Sequence, residues 1–169
     1  MMKTQGWHVL YVKSHHEKKV DMRLKQLQVD SFLPMISTVR QWSDRKKKVT
    51  VPLFPGYVFV NVSSTKDYGK ALSVSGALNF LYQDSKFALV KESEMQNIQR
   101  ILNSDEITNI ETTSYIPKVG DHVKIKMGPL QGIECQVKSV NNKKKILVSI
   151  QSIKQAITAS VPPGYLNFS

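Results

Sequence analysis

A Pro-Gly turn followed by a strand constrains this chain more than any other stretch. Residues 51–62 read VPLFPGYVFVNV, and the part after Gly56 is rich in β-branched and aromatic residues. That composition predicts a central strand buried on both faces. Proline fixes φ and glycine tolerates positive φ, so Pro55 and Gly56 predict a tight turn at the entry to the strand. Phe54 and Tyr57 flank this turn, where they either close the end of a core or form an exposed docking patch.

The composition limits the classes of protein that the chain can belong to. Its 169 residues carry a net charge of +11, which favours nucleic acid as a partner first and an anionic membrane second. Hydrophobic residues make up 41%, enough for a packed core. The one cysteine, Cys135, excludes a disulfide framework and is expected to be a small buried hydrophobe. No stretch approaches ~20 apolar residues, so no membrane span is predicted, and the N-terminus lacks the features of a signal peptide.

The first 102 residues alternate between strand and helix patterns. Strands are expected at residues 7–13, 30–39, 57–62, 78–82 and 86–90, and helices at 14–28, 63–75 and 93–102. Ser14 and Glu17 have the spacing of a capping box for the first helix. The basic segment 40–50 is predicted to be a protruding loop or hairpin. The order β-α-β-β-α-β predicts an α+β sandwich, with helices on one face of a mostly antiparallel sheet.

The remaining residues have a different pattern. Residues 103–117 contain acidic residues but no Lys or Arg, have weak periodicity and include Pro117, which indicates a linker. Short strands are then expected at residues 121–126, 133–140, 145–150 and 154–160. The turn residues between and beside them are Gly120-Asp121, Gly128-Pro129, Gly132 and Asn141-Asn142. Such spacing predicts a small all-β barrel in residues 118–169, after a first domain of residues 1–102.

Taken together, these motifs resemble one family. Residues 118–140 resemble a KOW motif, with Gly128 and Gly132 in the tight turn between two barrel strands. The aromatic first strand, the basic loop and the turn at residues 54–57, in that order, are similar to the N-terminal (NGN) domain of NusG-type transcription elongation factors. The resemblance covers nearly the whole chain and implies a ferredoxin-like NGN domain followed by an SH3-like KOW barrel. Within the family, the segment around the turn is most similar to specialised RfaH-like paralogues.

The resemblance implies a bacterial transcription elongation and antitermination factor that suppresses pausing or termination on specific operons. Family members bind the clamp helices of the largest RNA polymerase subunit through an apolar patch on the NGN domain. The matching positions here are Trp7, Tyr11, Phe54, Pro55 and Tyr57. Core packing is the alternative role for each of the aromatic residues.

The resemblance also implies two contacts with DNA. In RfaH-like proteins the end of the first strand and the first helix contact the non-template strand, and the matching positions are Lys13, His16, Lys19 and Arg23. The last three share one helical face. The basic run on the hairpin, which is expected to contact upstream duplex DNA through nonspecific electrostatics, consists of Arg45, Lys46, Lys47 and Lys48. A solvated surface is the alternative role for these charges.

Two segments depart from the family pattern. Residues 68–70 read Tyr-Gly-Lys where RfaH-like proteins have a His-Thr-Thr segment that touches the polymerase gate loop. In the barrel loop that binds ribosomal protein S10 and Rho, Ile150 matches the pattern, whereas Gln151 replaces a Phe and Ile153 an Arg. These replacements argue against Rho as a partner, but Ile150 and Ile153 still allow binding of ribosomal protein S10.

No catalytic arrangement is recognisable, so we expect neither an enzyme nor a cofactor. The adjacent pair His15-His16 does not predict a metal site, because neighbouring helical side chains diverge and no third ligand is near. We expect a cytoplasmic monomer that associates with the nucleoid through RNA polymerase. The alternative function is that of a KOW-type RNA-binding protein acting with the ribosome in translation.

Overall fold

The structure, a computed structural model, describes residues 5–114, 122–140 and 143–166. The chain divides into two compact units, with the boundary between Glu92 and Ser93. The sequence placed the boundary after residue 102, so the helix expected at residues 93–102 belongs to the second unit rather than the first. The beginning of the second predicted domain, at residues 118–121, lies outside the described residues, as do the turns Gly120-Asp121 and Asn141-Asn142.

The N-terminal unit consists of a sheet, two helices and two hairpins. Its elements are β1 (Gly6–Val12), α1 (Glu17–Gln26), β2 (Asp30–Phe32), β3 (Met35–Gln41), β4 (Lys46–Pro52), β5 (Tyr57–Val62), α2 (Thr65–Ser73), β6 (Ala77–Phe80), β7 (Tyr82–Gln83), β8 (Lys86–Phe87) and β9 (Leu89–Val90). The main sheet has the order β2-β5-β1-β6, and β9 also pairs with β1. With a helix after β1 and another after β5, this is the ferredoxin-like arrangement. The predicted α+β class is confirmed.

Both helices pack on one face of this sheet. Leu10 of β1 and Val60 of β5 lie in a buried cluster with Leu24 of α1 and Tyr68 of α2. Successive strand residues point to opposite faces, so Leu10 faces the helices while its neighbours Val9 and Tyr11 face away. The strands β1 and β5 are apolar on both faces, which is why the sequence predicts them correctly as central strands.

The opposite face of the sheet carries the aromatic residues of the two central strands. Tyr11 is paired with Tyr57, and Val9 with Phe59, across the β1–β5 register. Trp7 lies on the same face, two residues before Val9, and is paired with Asn61. The register therefore places Tyr11 and Tyr57 side by side at the end of the sheet where the Pro-Gly turn enters.

The start of helix α1 differs from the expectation. The helix begins at Glu17, and the predicted capping box between Ser14 and Glu17 is wrong, because the Glu17 carboxylate accepts a hydrogen bond from the backbone N–H of Gly56. A capping box does form at the start of α2. There the carboxylate of Asp67 accepts a hydrogen bond from the N–H of Ser64.

The basic segment forms a hairpin outside the main sheet. Pro34 lies between β2 and β3, where the chain leaves the sheet. Strands β3 and β4 then pair only with each other, in register from Met35↔Pro52 to Gln41↔Lys46. The hairpin alternative for residues 40–50 is therefore confirmed, and the strand expected at residues 30–39 is divided in two.

The described residues of the C-terminal unit contain one α-helix, two short 3-10 helices (Gln151–Ile153 and Pro163–Leu166) and a five-stranded antiparallel sheet. Its elements are α3 (Glu92–Leu102), which begins at the boundary, and the strands β10 (Thr108–Thr113), β11 (Val123–Lys124), β12 (Glu134–Val140), β13 (Lys143–Ile150) and β14 (Gln155–Ser160). The order of the strands is β10-β14-β13-β12-β11. Strand β10 lies within residues 103–117, which the sequence predicted to be a linker, so that assignment is wrong for residues 108–113.

The core of this unit confirms the interpretation of the one cysteine. Cys135 of β12 is buried, and burial raises the pKa of its thiol to about 11. A thiol with such a pKa stays protonated near neutral pH and is a poor nucleophile. Cys135 is therefore a packing residue.

Candidate functional site

The turn at residues 54–57 is closed by its own hydrogen bond. The N–H of Tyr57 donates to the carbonyl of Phe54 at 3.1 Å, and Gly56 has φ +84°. Proline at the second position and a positive φ at the third are the pattern of a type II turn. The glycine is therefore required by the backbone conformation, and Pro55 stands exposed at the corner of the turn.

Two further hydrogen bonds fix this turn to the rest of the unit. The N–H of Val12, at the end of β1, donates to the carbonyl of Gly56 at 2.9 Å. The N–H of Gly56 donates to Oε1 of Glu17 at 2.9 Å, and the Glu17 side chain is buried. Both backbone groups of Gly56 are thus bonded, one to the first strand and one to the first helix. The position of the turn is set by both elements.

Three of the four predicted aromatic residues meet at this turn. The rings of Tyr11 and Tyr57 lie 5.0 Å apart in an edge-on arrangement, with their hydroxyl oxygens 3.4 Å apart. Phe54 stacks on Tyr57 at 6.4 Å and contacts Phe59 edge-on at 5.6 Å. Phe54 is only 3% exposed, whereas both tyrosines are half-buried. Phe54 thus packs against Tyr57 in the buried part of the cluster, and the two tyrosines supply the accessible surface.

Trp7 does not join this cluster directly. It lies four residues before Tyr11 on the same strand face, a separation of about 13 Å along a strand. Trp7 is half-buried. The sheet therefore brings Tyr11, Phe54 and Tyr57 together and places Trp7 farther along the same face.

A groove adjoins Tyr11 on its other side. It has a volume of about 450 Å³ and is lined by Tyr11, Tyr68, Leu72, Asn79, Phe80, Tyr82 and Phe87. Leu72 and Tyr82 are large hydrophobic residues with exposed side chains. The accessible apolar surface of the N-terminal unit thus extends from the turn past Tyr11 towards helix α2.

The residues predicted to contact the non-template strand extend from Lys13, directly after β1, to Arg23 in the last turn of α1. Lys13, Lys19 and Arg23 are exposed. His16 is half-buried, and its Nδ1 donates to the carbonyl of Ser14 at 3.0 Å, so Nε2 remains as the second ring nitrogen for a ligand. Lys13, Lys19 and Arg23 make this a cationic surface that starts at the end of β1, and His16 lies among them as a polar group.

The departure at residues 68–70 has a structural explanation. Tyr68 is buried, and its hydroxyl lies 2.6 Å from Nε2 of His8. Nδ1 of His8 donates to the carbonyl of Gly6 at 2.9 Å, which leaves Nε2 to accept from Tyr68. Burial lowers the pKa of the His8 imidazole, and the hydrogen bond to Gly6 offsets part of that effect. Tyr68 therefore belongs to the core and cannot replace a surface contact of the family.

The hairpin carries the second group of predicted cations. All four residues of the basic run are exposed. Sequence reasoning missed Trp42 at the tip, which is 41% exposed. Nζ of Lys47 lies 4.4 Å from the centroid of its ring, and Cζ of Arg45 lies 5.7 Å away. The sequence does contain the feature that would have indicated Trp42, namely an aromatic residue within a basic segment.

Both glycines of the KOW-like turn are needed for its conformation, and Gly128 is also needed for space. Gly128 and Gly132 have φ +84° and +88°. A Cβ on Gly128 would lie 2.5 Å from Cζ of Tyr165, so no larger residue fits without moving the ring. Arg100 of α3 donates to the carbonyls of Pro129 and Gln131, each at 2.7–2.9 Å from Nη2. These contacts hold helix α3 on the turn.

The predicted partner loop of the C-terminal unit is closed. Ile150 and Ile153 are 0% and 2% exposed. Between them, the backbone N–H of Ser152 donates to Oε2 of Glu94 at 3.2 Å, and its hydroxyl donates to Oε1 of the same carboxylate. Glu94 belongs to α3 and is buried. The two isoleucines are therefore not accessible in this conformation.

Two further classes of site are absent from the part of the chain that the structure describes. It contains no group of three or more His, Cys, Asp or Glu residues that could hold a metal ion. None of its helices is long and apolar enough to cross a membrane.

Comparison with known proteins identifies the family. A family model described as "Transcription termination factor nusG" matches residues 5–99. The chain belongs to the NusG family. NusG proteins are transcription factors rather than enzymes, and the matched range includes the turn, the first helix and the basic hairpin. The C-terminal loop with Ile150 and Ile153 lies outside the matched range.

Two solved structures align over almost the whole chain. A structure of the domain interaction in Thermotoga maritima NusG aligns with 25% sequence identity and a TM-score of 0.55, covering 96% of this chain and 95% of that chain. The MjSpt4:Spt5 complex aligns with 16% identity and a TM-score of 0.34, covering 92% of this chain and 93% of that chain. The first of these confirms the mixed α/β architecture with a strand-rich C-terminal unit.

Proposed function

We propose that this member of the NusG family is a cytoplasmic elongation and antitermination factor that works on specific operons, like RfaH-type paralogues. It binds the clamp helices of the largest RNA polymerase subunit with the surface around Tyr57. It contacts the non-template DNA strand with the cationic surface of α1 and upstream DNA with the basic hairpin. The protein catalyses no reaction in this proposal and acts only through binding.

The shape of the turn supports the polymerase contact. Tyr11 and Tyr57 are half-buried and contact each other, and the buried Phe54 stacks on Tyr57. Rigid aromatic residues of this kind are frequent binding hot spots, because they offer a large contact area and lose little conformational freedom. Trp7 extends the same sheet face, and the exposed Pro55 forms its edge. A helical partner that crosses this face would bury all of these residues together.

The junction between the turn and the first helix is the observation that carries the proposal. Gly56 is bonded to Val12 and to Glu17. Lys13 follows Val12 directly, and His16 precedes Glu17 directly. The apolar surface and the cationic surface therefore meet at one point. When the turn is bound to the polymerase, the cationic surface of α1 would therefore lie next to the polymerase contact.

Contact with both the clamp and DNA gives a physical basis for antitermination. Two linked contacts strengthen each other, because binding at one raises the effective concentration at the other. A factor bridging the clamp and the displaced strand favours the closed clamp to the extent that it binds that state more tightly. Suppression of pausing follows if pausing requires the clamp to open.

Ribosomal protein S10 is the partner that we propose for the C-terminal loop. Ile150 and Ile153 supply its apolar contacts, and both are buried here. Binding through them therefore requires Glu94 to release Ser152. Rho is not proposed as a partner. Gln151 and Ile153 replace the Phe and Arg of the family pattern, and these replacements argue against contact with Rho.

Recovery of RNA polymerase with the tagged full-length chain tests the main contact. The paired change Tyr11→Ala and Tyr57→Ala should lower polymerase affinity more than tenfold, since each hot-spot residue contributes about 2 kcal/mol. The change Phe54→Ala with Tyr57→Ala should have the same effect. Val39→Ala, which removes an exposed apolar side chain from the hairpin outside the main sheet, is the control and should bind normally. Normal recovery by a folded double variant contradicts the docking surface.

A charge-reversal series tests the DNA contact separately. The triple change Lys13→Glu, Lys19→Glu and Arg23→Glu should weaken recruitment to DNA and readthrough while polymerase binding persists. The charge-matched control reverses Lys66, Lys70 and Lys86, which are exposed cations elsewhere on the same unit. Equal readthrough by both triple variants would show that net charge, and not the α1 surface, matters. Co-sedimentation of the wild-type chain with ribosomes, with no polymerase recovered, would favour the alternative role in translation.

A further inference from the structure

The hairpin formed by β3 and β4 has two different faces. The register pairs Thr38 with Val49 and Arg40 with Lys47. Paired residues lie on the same face, and alternation then places Trp42, two residues after Arg40, on that face as well. Lys46 and Lys48 are paired with Gln41 and Val39 on the opposite face. The basic run is therefore divided, and only one half of it accompanies the tryptophan.

Trp42 has no structural task that explains a tryptophan at this position. It opens the loop that follows the last strand pair, where its N–H donates to the carbonyl of Arg45 at 2.7 Å. Any residue except proline supplies that hydrogen bond. The ring itself contacts the cationic groups of Lys47 and Arg45 and remains 41% exposed. These contacts hold the indole in place without covering it.

We propose that Trp42 stacks on an unpaired nucleic-acid base while Arg45 and Lys47 contact the adjacent phosphates. The inference rests on the proposed function, in which this hairpin faces upstream DNA, and it replaces the expected duplex contact at the tip with contact to unpaired nucleotides. An aromatic ring flanked by cations is the combination with which single-strand-binding surfaces work, because every base offers a π-face and every nucleotide a phosphate. A base within a duplex is covered on both faces by its neighbours, so the ring selects unpaired nucleotides over paired ones.

The division of faces gives each side chain a distinct role in the binding equilibrium. Stacking by Trp42 releases no counterions, so it contributes affinity that does not depend on salt. Lys47 neutralises a phosphate, so its contribution appears in the salt dependence, with a slope of roughly 0.7 per contact for single strands. Lys48, on the other face, is a matched cation that leaves the stacked base untouched.

Titration of the full-length chain with an unstructured thymidine 20-mer, and with a blunt duplex of the same length, tests the inference. Trp42→Ala should lower affinity for the single strand about 5- to 150-fold, the range for one base stacked on an aromatic residue. Trp42→Phe, which keeps a ring, should stay within about threefold of wild type, and affinity for the duplex should change less than about twofold. The salt slope should be the same in Trp42→Ala and wild type, and lower in Lys47→Gln.

Intrinsic fluorescence supplies a second readout. The chain has two tryptophans, so Trp42→Phe leaves Trp7 as the only one. The single strand should quench the fluorescence of wild type and of Lys48→Gln, but not that of Trp42→Phe. Unchanged single-strand affinity in Trp42→Ala would overturn the inference, because the ring would then only brace the hairpin. Equal losses for single strand and duplex would also overturn it, in favour of insertion between paired bases.

Polymerase recovery separates this inference from the proposed function. Trp42→Ala should recover RNA polymerase as wild type does, because the turn at residues 54–57 is unchanged. If wild type recovers no polymerase but Trp42 still governs single-strand affinity, the proposed function fails and the stacking site stands. If wild type recovers polymerase and Trp42 has no effect on oligonucleotide binding, the stacking inference fails alone.

Discussion

Two buried glutamates hold two candidate binding loops of this chain, with opposite consequences for the loops. Glu17, at the start of α1, accepts the N–H of Gly56 at 2.9 Å. Glu94, near the start of α3, accepts the N–H of Ser152 at 3.2 Å. The first loop leaves Pro55 exposed and Tyr57 half-buried, whereas the second buries both of its isoleucines.

The difference shows that one type of hydrogen bond, from a loop N–H to a buried carboxylate, can accompany an accessible loop in one place and an inaccessible loop in another. Both carboxylates fix a backbone N–H, so backbone order alone does not make a loop available. The side chains beside the bond decide availability. A partner of the first loop meets a surface already in its binding conformation, which lowers the cost of ordering. A partner of the second loop binds only the fraction of molecules in which the loop is open, so its apparent affinity is reduced by that fraction.

The largest effect is expected from the glycines of two turns. Gly56 and Gly128 share φ +84°, but an added Cβ would be 3.8 Å from the carbonyl oxygen of Val12 at Gly56 and 2.5 Å from Cζ of Tyr165 at Gly128. Gly56→Ala should therefore cost about 1–2 kcal/mol of the free energy of unfolding, from backbone strain alone. Gly128→Ala should cost about 2–5 kcal/mol, because overpacking adds to the strain.

Urea unfolding of the full-length variants measures this difference. Both tryptophans lie in the N-terminal unit, so their fluorescence follows that unit, while circular dichroism follows the whole chain. Equal losses in the two variants would mean that the Tyr165 ring moves aside freely, and the close packing of the C-terminal turn would then have no energetic importance.

Removal of the Glu17 side chain should destabilise the accessible loop at residues 54–57. Glu17→Ala leaves the N–H of Gly56 without its charged acceptor, a loss of about 1.5–3 kcal/mol in the free energy of unfolding. Polymerase affinity should fall as well, because Tyr57 follows Gly56 directly and loses its fixed position. Glu17→Gln keeps an oxygen acceptor and should show a smaller loss of both quantities. A folded Glu17→Ala protein with normal polymerase affinity would show that the bond stabilises the unit without positioning the tyrosine.

Removal of Glu94 should have the opposite effect on binding. Glu94→Ala frees the backbone and hydroxyl of Ser152, and the loop opens more often. Affinity for ribosomal protein S10, measured by titration, should rise about tenfold for each 1.4 kcal/mol by which closure is weakened. Glu92→Ala, which changes an exposed carboxylate in the same helix, is the control. Unchanged or weaker binding by Glu94→Ala would contradict the idea that the loop is closed to its partner.

Sequence patterns predicted the elements whose stability is local or strongly apolar. Strands β1 and β5 carry apolar residues on both faces, and the Pro55-Gly56 turn follows from the φ preferences of two residues. The hairpin follows from two extended runs around a polar tip. These features need no knowledge of distant contacts, and the family resemblance rests on the same residues.

The features that escaped prediction depend on tertiary partners. From the sequence, Glu17 is indistinguishable from a capping residue, because its true partner, Gly56, lies 39 residues away. Residues 108–113 lack an apolar pattern and become a strand only because β14 offers an edge. Trp42 is the exception, since an aromatic residue within a basic segment is visible in the sequence itself.

The smallest effect is expected at the third buried acid, Asp67, which caps a helix and holds no binding loop. Its carboxylate accepts hydrogen bonds from the N–H groups of Ser63 and Ser64 and from the Ser63 hydroxyl. Burial raises the pKa of the Asp67 carboxyl, but these hydrogen bonds outweigh burial and lower the pKa from its ordinary value. Asp67→Asn should cost about 1 kcal/mol of the free energy of unfolding near neutral pH.

The pH dependence of that loss identifies its cause. A carboxyl whose pKa is lower in the folded state stabilises the protein fully above its unfolded pKa, and the contribution disappears as the pH falls through the folded pKa. Urea unfolding should therefore separate Asp67→Asn from wild type near neutral pH and bring the two together in acid. Polymerase and ribosomal protein S10 should bind the variant as they bind wild type. Weaker binding of either partner by Asp67→Asn would mean that a buried acid that holds no binding loop also affects binding. The effects of Glu17 and Glu94 on binding could then not be assigned to the loops that they hold.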